Sequence, residues 1–93
     1  MGIVADRIRS KLERAFSPQR LEILDDSAKH SGHEGAREGG ESHFSVLIVA
    51  DAFEGLNRVA RQRRVNAELA DELAGPVHAL SLQTLTPGEA SNG

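Results

Sequence analysis

Four histidines are the residues of this sequence best suited to binding a metal ion: His30, His33, His43 and His78. A neutral imidazole is a good ligand for both zinc and iron. His30 and His33 stand three residues apart in a glycine-rich segment, so both imidazoles can reach one ion. Two imidazoles leave a site incomplete, because structural zinc takes four ligands. The pair therefore predicts either an incomplete metal site, to which His78 could add a zinc ligand, or a solvated polar loop.

The two later histidines each open a segment of alternating apolar residues. His43 directly precedes Phe44, and this position favours a packing or capping role over metal ligation. His78 shares a face of a predicted strand with Leu80 and Leu82. A histidine on such a face is commonly a partly buried, hydrogen-bonded core residue. The residues alone leave both a core role and a ligand role open for His78.

A cluster of four arginines without any acidic residue occupies residues 58–64. The formal net charge of the whole chain is nevertheless −3. Non-specific binding of nucleic acids depends on attraction to phosphates, so an acidic chain is poorly suited to it. Arg61 and Arg64 are three residues apart and would share one side of a helix. The cluster predicts either a solvated face or a specific contact with an anion or a nucleic acid.

Several classes of function are disfavoured by what the sequence lacks. There is no cysteine, which excludes a disulfide framework, a thiol nucleophile and a thiolate metal cage built by this chain alone. No phosphate-binding loop, zinc-protease motif or nucleophile elbow occurs, so we predict that the protein is not an enzyme. No run of about 18 apolar residues occurs. We expect a soluble, cytoplasmic protein that does not contact membranes and is a monomer when alone.

Hydrophobic periodicity predicts the elements that must position these residues. Apolar residues recur every four positions from Val4 to Phe16, which indicates an amphipathic helix of about fourteen residues that ends before Ser17-Pro18. The alternating segments predict three strands, over Leu21–Asp25, Phe44–Val49 and Val77–Leu85. The second of these is apolar on both faces, so we predict that it is the central strand. Residues 28–41 are rich in glycine and predict a mobile loop between the first two strands.

Two apolar stripes, over 56–60 and 65–73, predict a second helical region in two parts. The gap between the stripes falls at the arginines, so we expect the bend there. Gly75-Pro76 ends the region, and residues 88–93 are expected to form a disordered tail. The order is α-β-β-α-α-β. It predicts an α+β sandwich in which a three-stranded sheet packs against helices.

Four segments taken in this order resemble the BolA family: Glu41–Phe44, Phe53–Leu56, Arg61–Val65 and Pro76–Leu82. The resemblance extends from about Ile8 to Pro87, so residues 1–87 are interpreted as one BolA-like domain. It implies the BolA fold, which is similar to the class II KH fold but lacks the Gly-x-x-Gly loop between helices.

The resemblance also implies a function. Members of the family pair with monothiol glutaredoxins, and the heterodimer shares a [2Fe–2S] cluster with glutathione as a further ligand. The expected role is non-enzymatic, in iron–sulfur cluster trafficking and iron homeostasis, and no cluster is expected on this chain alone. Other members are linked to DNA binding and to transcriptional control of stress responses and cell morphology, which is the alternative function.

Carried over residue by residue, the C-terminal histidine ligand of the family falls on His78. The second ligand lies in the loop between the first two strands, where His33 matches best and His30 remains the alternative. The helix-turn-helix-like segment of the family falls on about Phe53–Leu73. This match places Arg61, Arg63 and Arg64 in the region implied to bind nucleic acid.

Overall fold

The computed structural model describes residues 2–25 and 42–92. The predicted α+β class is confirmed: one three-stranded sheet packs against helices. The elements in chain order are α1 (Ile3–Phe16), β1 (Arg20–Asp25), β2 (His43–Val49), a 3-10 turn (Asp51–Phe53), α2 (Arg58–Glu68), α3 (Ala70–Ala74), β3 (Ala79–Leu85) and α4 (Pro87–Asn92).

The sheet has the order β1-β2-β3, with β2 in the centre as its apolar sequence predicts. β1 pairs with β2 in antiparallel fashion, with Leu21 opposite Ile48. β3 pairs with β2 in parallel, with Leu82 opposite Val46. Because β2 and β3 run in the same direction, their first residues lie at the same end of the sheet. This pairing later brings His43 and His78 together.

Helix α1 covers the inner face of the sheet with the stripe that its sequence predicts. Its buried residues recur at intervals of four, and they are Val4, Ile8, Leu12 and Phe16. The helix ends at Ser17, whose left-handed φ of 45° lets its N–H donate to the Glu13 carbonyl. Pro18 then prevents further helix.

The hydrophobic core lies between α1, the inner face of the sheet and the second helical region. Phe44, Val46 and Ile48 point into it from β2, in the alternation typical of a strand. The rings of Phe16 and Phe53 pack with their centroids 5.2 Å apart. Because Phe53 is completely buried, truncating it to Ala would cost about 3–5 kcal/mol of folding free energy.

The bend in the second helical region lies at Leu69, not at the arginines as the stripe pattern predicted. Helix α2 runs without interruption through the arginines, and Leu69 carries non-helical angles of φ −103° and ψ 19°. The core-facing residues of α2 and its C-cap are Arg61, Val65 and Leu69, which are spaced about one helical turn apart. Val59 was expected in the apolar stripe but is 58% exposed. The apolar pattern of this region was interrupted in the sequence because the first buried position of α2 is occupied by Arg61 and not by an apolar residue.

The end of the chain also differs from the sequence prediction. Residues 88–93 were expected to be disordered, but Pro87–Asn92 forms helix α4. Thr86 and Glu89 cap this helix reciprocally: the Thr86 N–H donates to Glu89 Oε1 at 2.9 Å, and the Glu89 N–H donates to Thr86 Oγ1 at 3.2 Å. Pro87 suits the first helical position, where no N–H is needed.

Two further expectations concern the loop and the membrane. The predicted mobile loop over residues 28–41 lies outside the described residues and stays a prediction. Within residues 2–25 and 42–92, no helix is long and apolar enough to cross a membrane.

Candidate functional site

The first candidate site is the histidine edge, which we define as Ser42, His43 and His78, at the end of the sheet where β2 and β3 begin. In the parallel register His43 lies opposite Ala79, so His78 stands one residue before its strand. The two imidazole rings face each other with their centroids 6.5 Å apart and their planes tilted by 35°. Nothing in the sequence indicated that these two histidines are close to each other; the parallel pairing of β2 with β3 makes them neighbours.

Backbone hydrogen bonds hold His78 in place without using its side chain. The N–H of His78 donates to the Ser42 carbonyl at 2.8 Å, and the N–H of Ala79 donates to the same carbonyl at 3.2 Å. Ser42 itself is buried. The imidazole of His78 is exposed, so the core role that its strand position left open is not what the structure shows. His78 precedes β3 and is exposed, whereas Leu80 within the strand packs against the core.

The turn before His78 is fixed by Glu72 of helix α3. The carbonyl of Glu72 accepts hydrogen bonds from Gly75 and Val77, at 3.2 and 2.9 Å. Its buried carboxylate pairs with Lys11 of α1 at 2.9 Å. The hydrogen bond from Lys11 to Glu72 raises the pKa of that lysine above its usual value. The backbone that presents His78 is thus tied to both α3 and α1.

His43 differs from His78 in its surroundings. Its side chain is half-buried, and its Nδ1 lies 2.9 Å from the Ser42 hydroxyl. This hydrogen bond agrees with the packing or capping role that the sequence favoured. Of the two histidines at the histidine edge, His78 is exposed and His43 is half-buried.

The segment that carries His30 and His33 leaves and rejoins the described chain at this same end of the sheet. The last residue of β1, Asp25, lies opposite Phe44, next to the histidine edge. Both histidines of the segment lie outside the described residues, so their proposed ligand roles stay predictions. Among the residues that the structure describes, no group of three or more His, Asp or Glu side chains could hold a metal ion.

Arg61 does not lie on the surface as its predicted nucleic-acid role required. It is the centre of the arginine network, which we define as Leu56, Arg61, Thr84 and Glu89. Its Nε donates to the Leu56 carbonyl at 2.9 Å, and its Nη1 donates to the Thr84 carbonyl at 3.1 Å and to Glu89 Oε1 at 2.7 Å. Only 9% of Arg61 is exposed. This burial removes Arg61 from the predicted nucleic-acid surface.

The arginine network also changes the chemistry of Glu89. The hydrogen bond from Arg61, aided by the backbone hydrogen bond from Thr86, lowers the pKa of Glu89 from 4.5 to about 2. The carboxylate is therefore charged at any pH near neutrality. The network acts as a structural clamp that joins α2, β3 and α4.

The other arginines of α2 lie on the surface. Arg58, Arg63 and Arg64 are exposed, and Arg64 lines a shallow groove beside Phe16 and Glu68. These three side chains project in different directions around the helix. Arg63 and Arg64 therefore remain candidates for nucleic-acid contact, on a surface that is less concentrated than their spacing suggested.

Known proteins similar to this chain match nearly its whole length. A family model described as BolA-like protein matches residues 12–89. BolA-like protein 1 from Homo sapiens is 46% identical over 89 residues, which cover 96% of this chain and 62% of that protein. The chain thus spans less than two thirds of that relative's length. The resemblance that the sequence motifs indicate is confirmed.

Two further relatives show the range of the similarity. The solved BolA domain of SufE1 from Arabidopsis thaliana has a TM-score of 0.84 and 44% identity, covering 96% of this chain and 98% of that domain. A Vibrio cholerae protein named DNA-binding transcriptional regulator BolA is 42% identical over 87 residues, covering 94% of this chain and 78% of that protein. The first similarity confirms the predicted fold.

Proposed function

Because this chain belongs to the BolA-like family, we propose that it is a non-enzymatic partner of a monothiol glutaredoxin. The pair would share a [2Fe–2S] cluster as cargo in iron–sulfur trafficking and iron homeostasis. The observation that carries the proposal is the exposed imidazole of His78 on a backbone that hydrogen bonds hold in place. An exposed side chain on a fixed backbone is accessible to a partner.

The donor set of the chain fits a shared cluster. Iron–sulfur clusters take four ligands, and this chain has no cysteine. It can therefore contribute only imidazoles, from His78 and from His33, with His30 as the alternative. The partner would bring a cysteine, and glutathione another thiolate. Two imidazoles in place of two thiolates raise the reduction potential of a [2Fe–2S] cluster.

The position of the histidine edge supports a ligand pair drawn from two segments. The chain that contains His30 and His33 leaves after Asp25 and returns at Ser42, and both points lie at the end of the sheet that presents His78. Ligation requires the neutral imidazole. Since an imidazole titrates near neutral pH, we expect the shared complex to weaken as the pH falls.

A spectroscopic titration tests the proposal. The protein is added to a cluster-loaded monothiol glutaredoxin with glutathione, and visible absorption and circular dichroism are recorded. We expect a change that saturates at an equimolar ratio, is lost with His78→Ala and is altered with His33→Ala. His30→Ala serves as the parallel test of the alternative loop ligand. His43→Asn is the matched control, because the asparagine amide takes the position of Nδ1 and can keep the hydrogen bond to Ser42, and its spectrum should follow the wild type.

Different outcomes would contradict different parts of the proposal. If His33→Ala matches the wild type while His30→Ala does not, the loop ligand is His30. If neither loop variant alters the spectrum, the loop supplies no ligand. If the wild-type protein causes no spectral change and forms no complex in size-exclusion chromatography, the glutaredoxin proposal fails and DNA binding becomes the leading function.

DNA binding is the second candidate function. It rests on the exposed Arg63 and Arg64 of α2 and on the Vibrio cholerae relative whose name describes a DNA-binding transcriptional regulator. A gel-shift series in rising salt tests it, with Arg63→Ala and Arg64→Ala beside the wild type. Each phosphate contact that is lost should reduce the salt dependence by about one unit of slope. The absence of any shift at low salt would contradict this function.

A further inference from the structure

The two edge strands of the sheet differ in their protection against further pairing. β1 carries charged side chains at Arg20, Glu22 and Asp25, and charges on an edge discourage the addition of another strand. β3 is seven residues long, with the sequence ALSLQTL, and contains neither a charged residue nor proline. In the described part of the chain, no further strand pairs with β3 on its outer side. β3 is therefore an unprotected edge.

Hydrogen bonds show which backbone groups of β3 face outward. The Leu85 carbonyl accepts from Ala50 and the Ala79 N–H donates to Ser42, so these two residues face β2. Backbone groups alternate in direction along a strand, so those of Leu80, Leu82 and Thr84 face away. The hydrogen bond from Arg61 to the Thr84 carbonyl arrives from that outer side. The N–H and carbonyl groups of Leu80 and Leu82 thus form a row that a further strand could use.

A groove of about 230 Å³ runs between this edge and helix α2. It is lined by Arg58, Gln62 and residues 82–85. Arg58 is exposed, and no ion pair links it to the part of the chain that the structure describes. Thr84, whose carbonyl accepts a hydrogen bond from Arg61, belongs to both the groove lining and the arginine network. Within residues 2–25 and 42–92, the groove therefore combines outward-facing backbone hydrogen-bonding groups with the exposed positive charge of Arg58.

We propose that this groove, with the outer edge of β3, binds an extended acidic peptide segment of a partner protein as a fourth strand of the sheet. The main chain of the peptide would pair with Leu80 and Leu82, and an acidic side chain would lie against Arg58. Such strand addition takes its affinity from main-chain hydrogen bonds and its selectivity from neighbouring side chains. The proposed surface does not include the imidazole of His78 and goes beyond the cluster-sharing function.

The chemistry of the groove favours a peptide over the two other occupants. A second copy paired through β3 would bring no acidic residue from its own β3 to meet Arg58. A single-stranded nucleic acid would offer phosphates to Arg58 but no alternating donors and acceptors for Leu80 and Leu82. An extended peptide that carries a carboxylate satisfies both features.

NMR titration with defined peptides tests the proposal. The probe is a short peptide that alternates threonine and valine and ends in two glutamates. Its controls are the same peptide ending in two lysines, and a version with proline at alternate positions, which cannot pair as a strand. We expect saturable shifts of the Leu80, Leu82 and Arg58 amides with the glutamate peptide, slower hydrogen exchange at Leu80 and Leu82, and weaker binding of both controls.

Charge-reversal variants locate the binding. Arg58→Glu should weaken the glutamate peptide about five-fold. Because residue 58 is the first of α2, a glutamate there suits the helix dipole and should not harm folding. Arg63→Glu is the matched control, since Arg63 is exposed on the same helix but does not line the groove, and its binding should follow the wild type.

Four results would overturn the proposal. One is the absence of saturable shifts at millimolar peptide, and another is equal binding of the proline peptide. A third is a concentration-dependent change of the same amides without any peptide, which would assign the edge to a second copy of the chain. The fourth is a response of these amides to a single-stranded oligonucleotide, weakened by Arg58→Glu, with no response to peptide.

Discussion

The two ends of strand β3 show opposite uses of polar side chains. At its start, the histidine edge holds His78 by backbone hydrogen bonds and leaves the imidazole exposed. At its other end, the arginine network buries Arg61 and uses its guanidinium to join two carbonyls and a carboxylate. The imidazole of His78 is accessible because it is exposed. The guanidinium of Arg61 is unavailable because folding uses it fully.

This difference separates binding from stability along one strand. Substitution of the exposed His78 should alter cluster sharing and leave the free energy of unfolding nearly unchanged. Substitutions in the arginine network should lower the free energy of unfolding.

The largest expected effect is on cluster sharing with His78→Ala. We expect the spectral change on mixing with a cluster-loaded monothiol glutaredoxin to disappear, because the proposed cluster ligand is lost. The free energy of unfolding in urea should stay within about 0.5 kcal/mol of the wild type, as is usual for an exposed side chain. A marked loss of stability would contradict the separation, since it would give His78 a structural role.

The second prediction concerns Arg61→Met, which keeps an apolar stem but removes every donor. We expect a loss of about 2–3 kcal/mol, because the Leu56 and Thr84 carbonyls and the Glu89 carboxylate lose their partner. Urea unfolding measures the loss. Arg63→Met is the matched control on the same helix, and its exposed position should make it nearly neutral. Equal effects of the two substitutions would show that the network does not stabilise the fold.

The third prediction concerns the cap of α4. Thr86→Ala removes the hydroxyl that accepts from the Glu89 N–H, and the loss of such a cap costs about 1 kcal/mol. Thr86→Ser keeps the hydroxyl and should retain most of the stability. The free energies of unfolding of the two variants measure the difference. If serine and alanine destabilise equally, the buried methyl group rather than the cap explains the effect.

The fourth and smallest effect is the pH dependence of Glu89→Gln. The folded state lowers the pKa of Glu89 from 4.5 to about 2, so its charged form stabilises the fold above the higher value. That contribution is lost as the pH falls from 4.5 towards 2. The wild type should unfold at higher urea than the variant at neutral pH, and the gap should close across this range. A gap that does not change with pH would show that the charge of Glu89 is unimportant.

The structure confirms those expectations that depended on neighbouring residues. The stripe from Val4 to Phe16 predicted both the extent and the buried face of α1, because a helix of one amphipathic period can be inferred from its own sequence. The apolar alternation predicted β2 as the central strand. The combined motifs, including Glu41–Phe44, indicated the family that the comparisons establish.

The structure corrects expectations that depended on distant partners. Arg61 was assigned to a nucleic-acid surface because a cluster of arginines normally faces solvent. Its burial depends on Thr84, 23 residues away, and on Glu89, 28 residues away. Helix α4, which was expected as a disordered tail, instead carries a local capping box of Thr86 and Glu89, and this signal was present in the sequence. Hydrophobic periodicity indicates which apolar residues are buried, but it does not indicate which charged side chain will be buried by hydrogen bonds to distant residues.

The amino-acid sequence by itself determined the class of the fold, the family and the set of imidazoles that the chain can offer. Only the tertiary structure decided which polar side chains are exposed to a partner and which are buried in the fold. The parallel pairing of β2 with β3 set His43 and His78 6.5 Å apart, and the packing of α2 against β3 and α4 enclosed Arg61. Both arrangements depend on contacts between segments that are distant in sequence. For Arg61, the hydrogen bonds and the ion pair that it makes with those segments offset the cost of removing its charge from water.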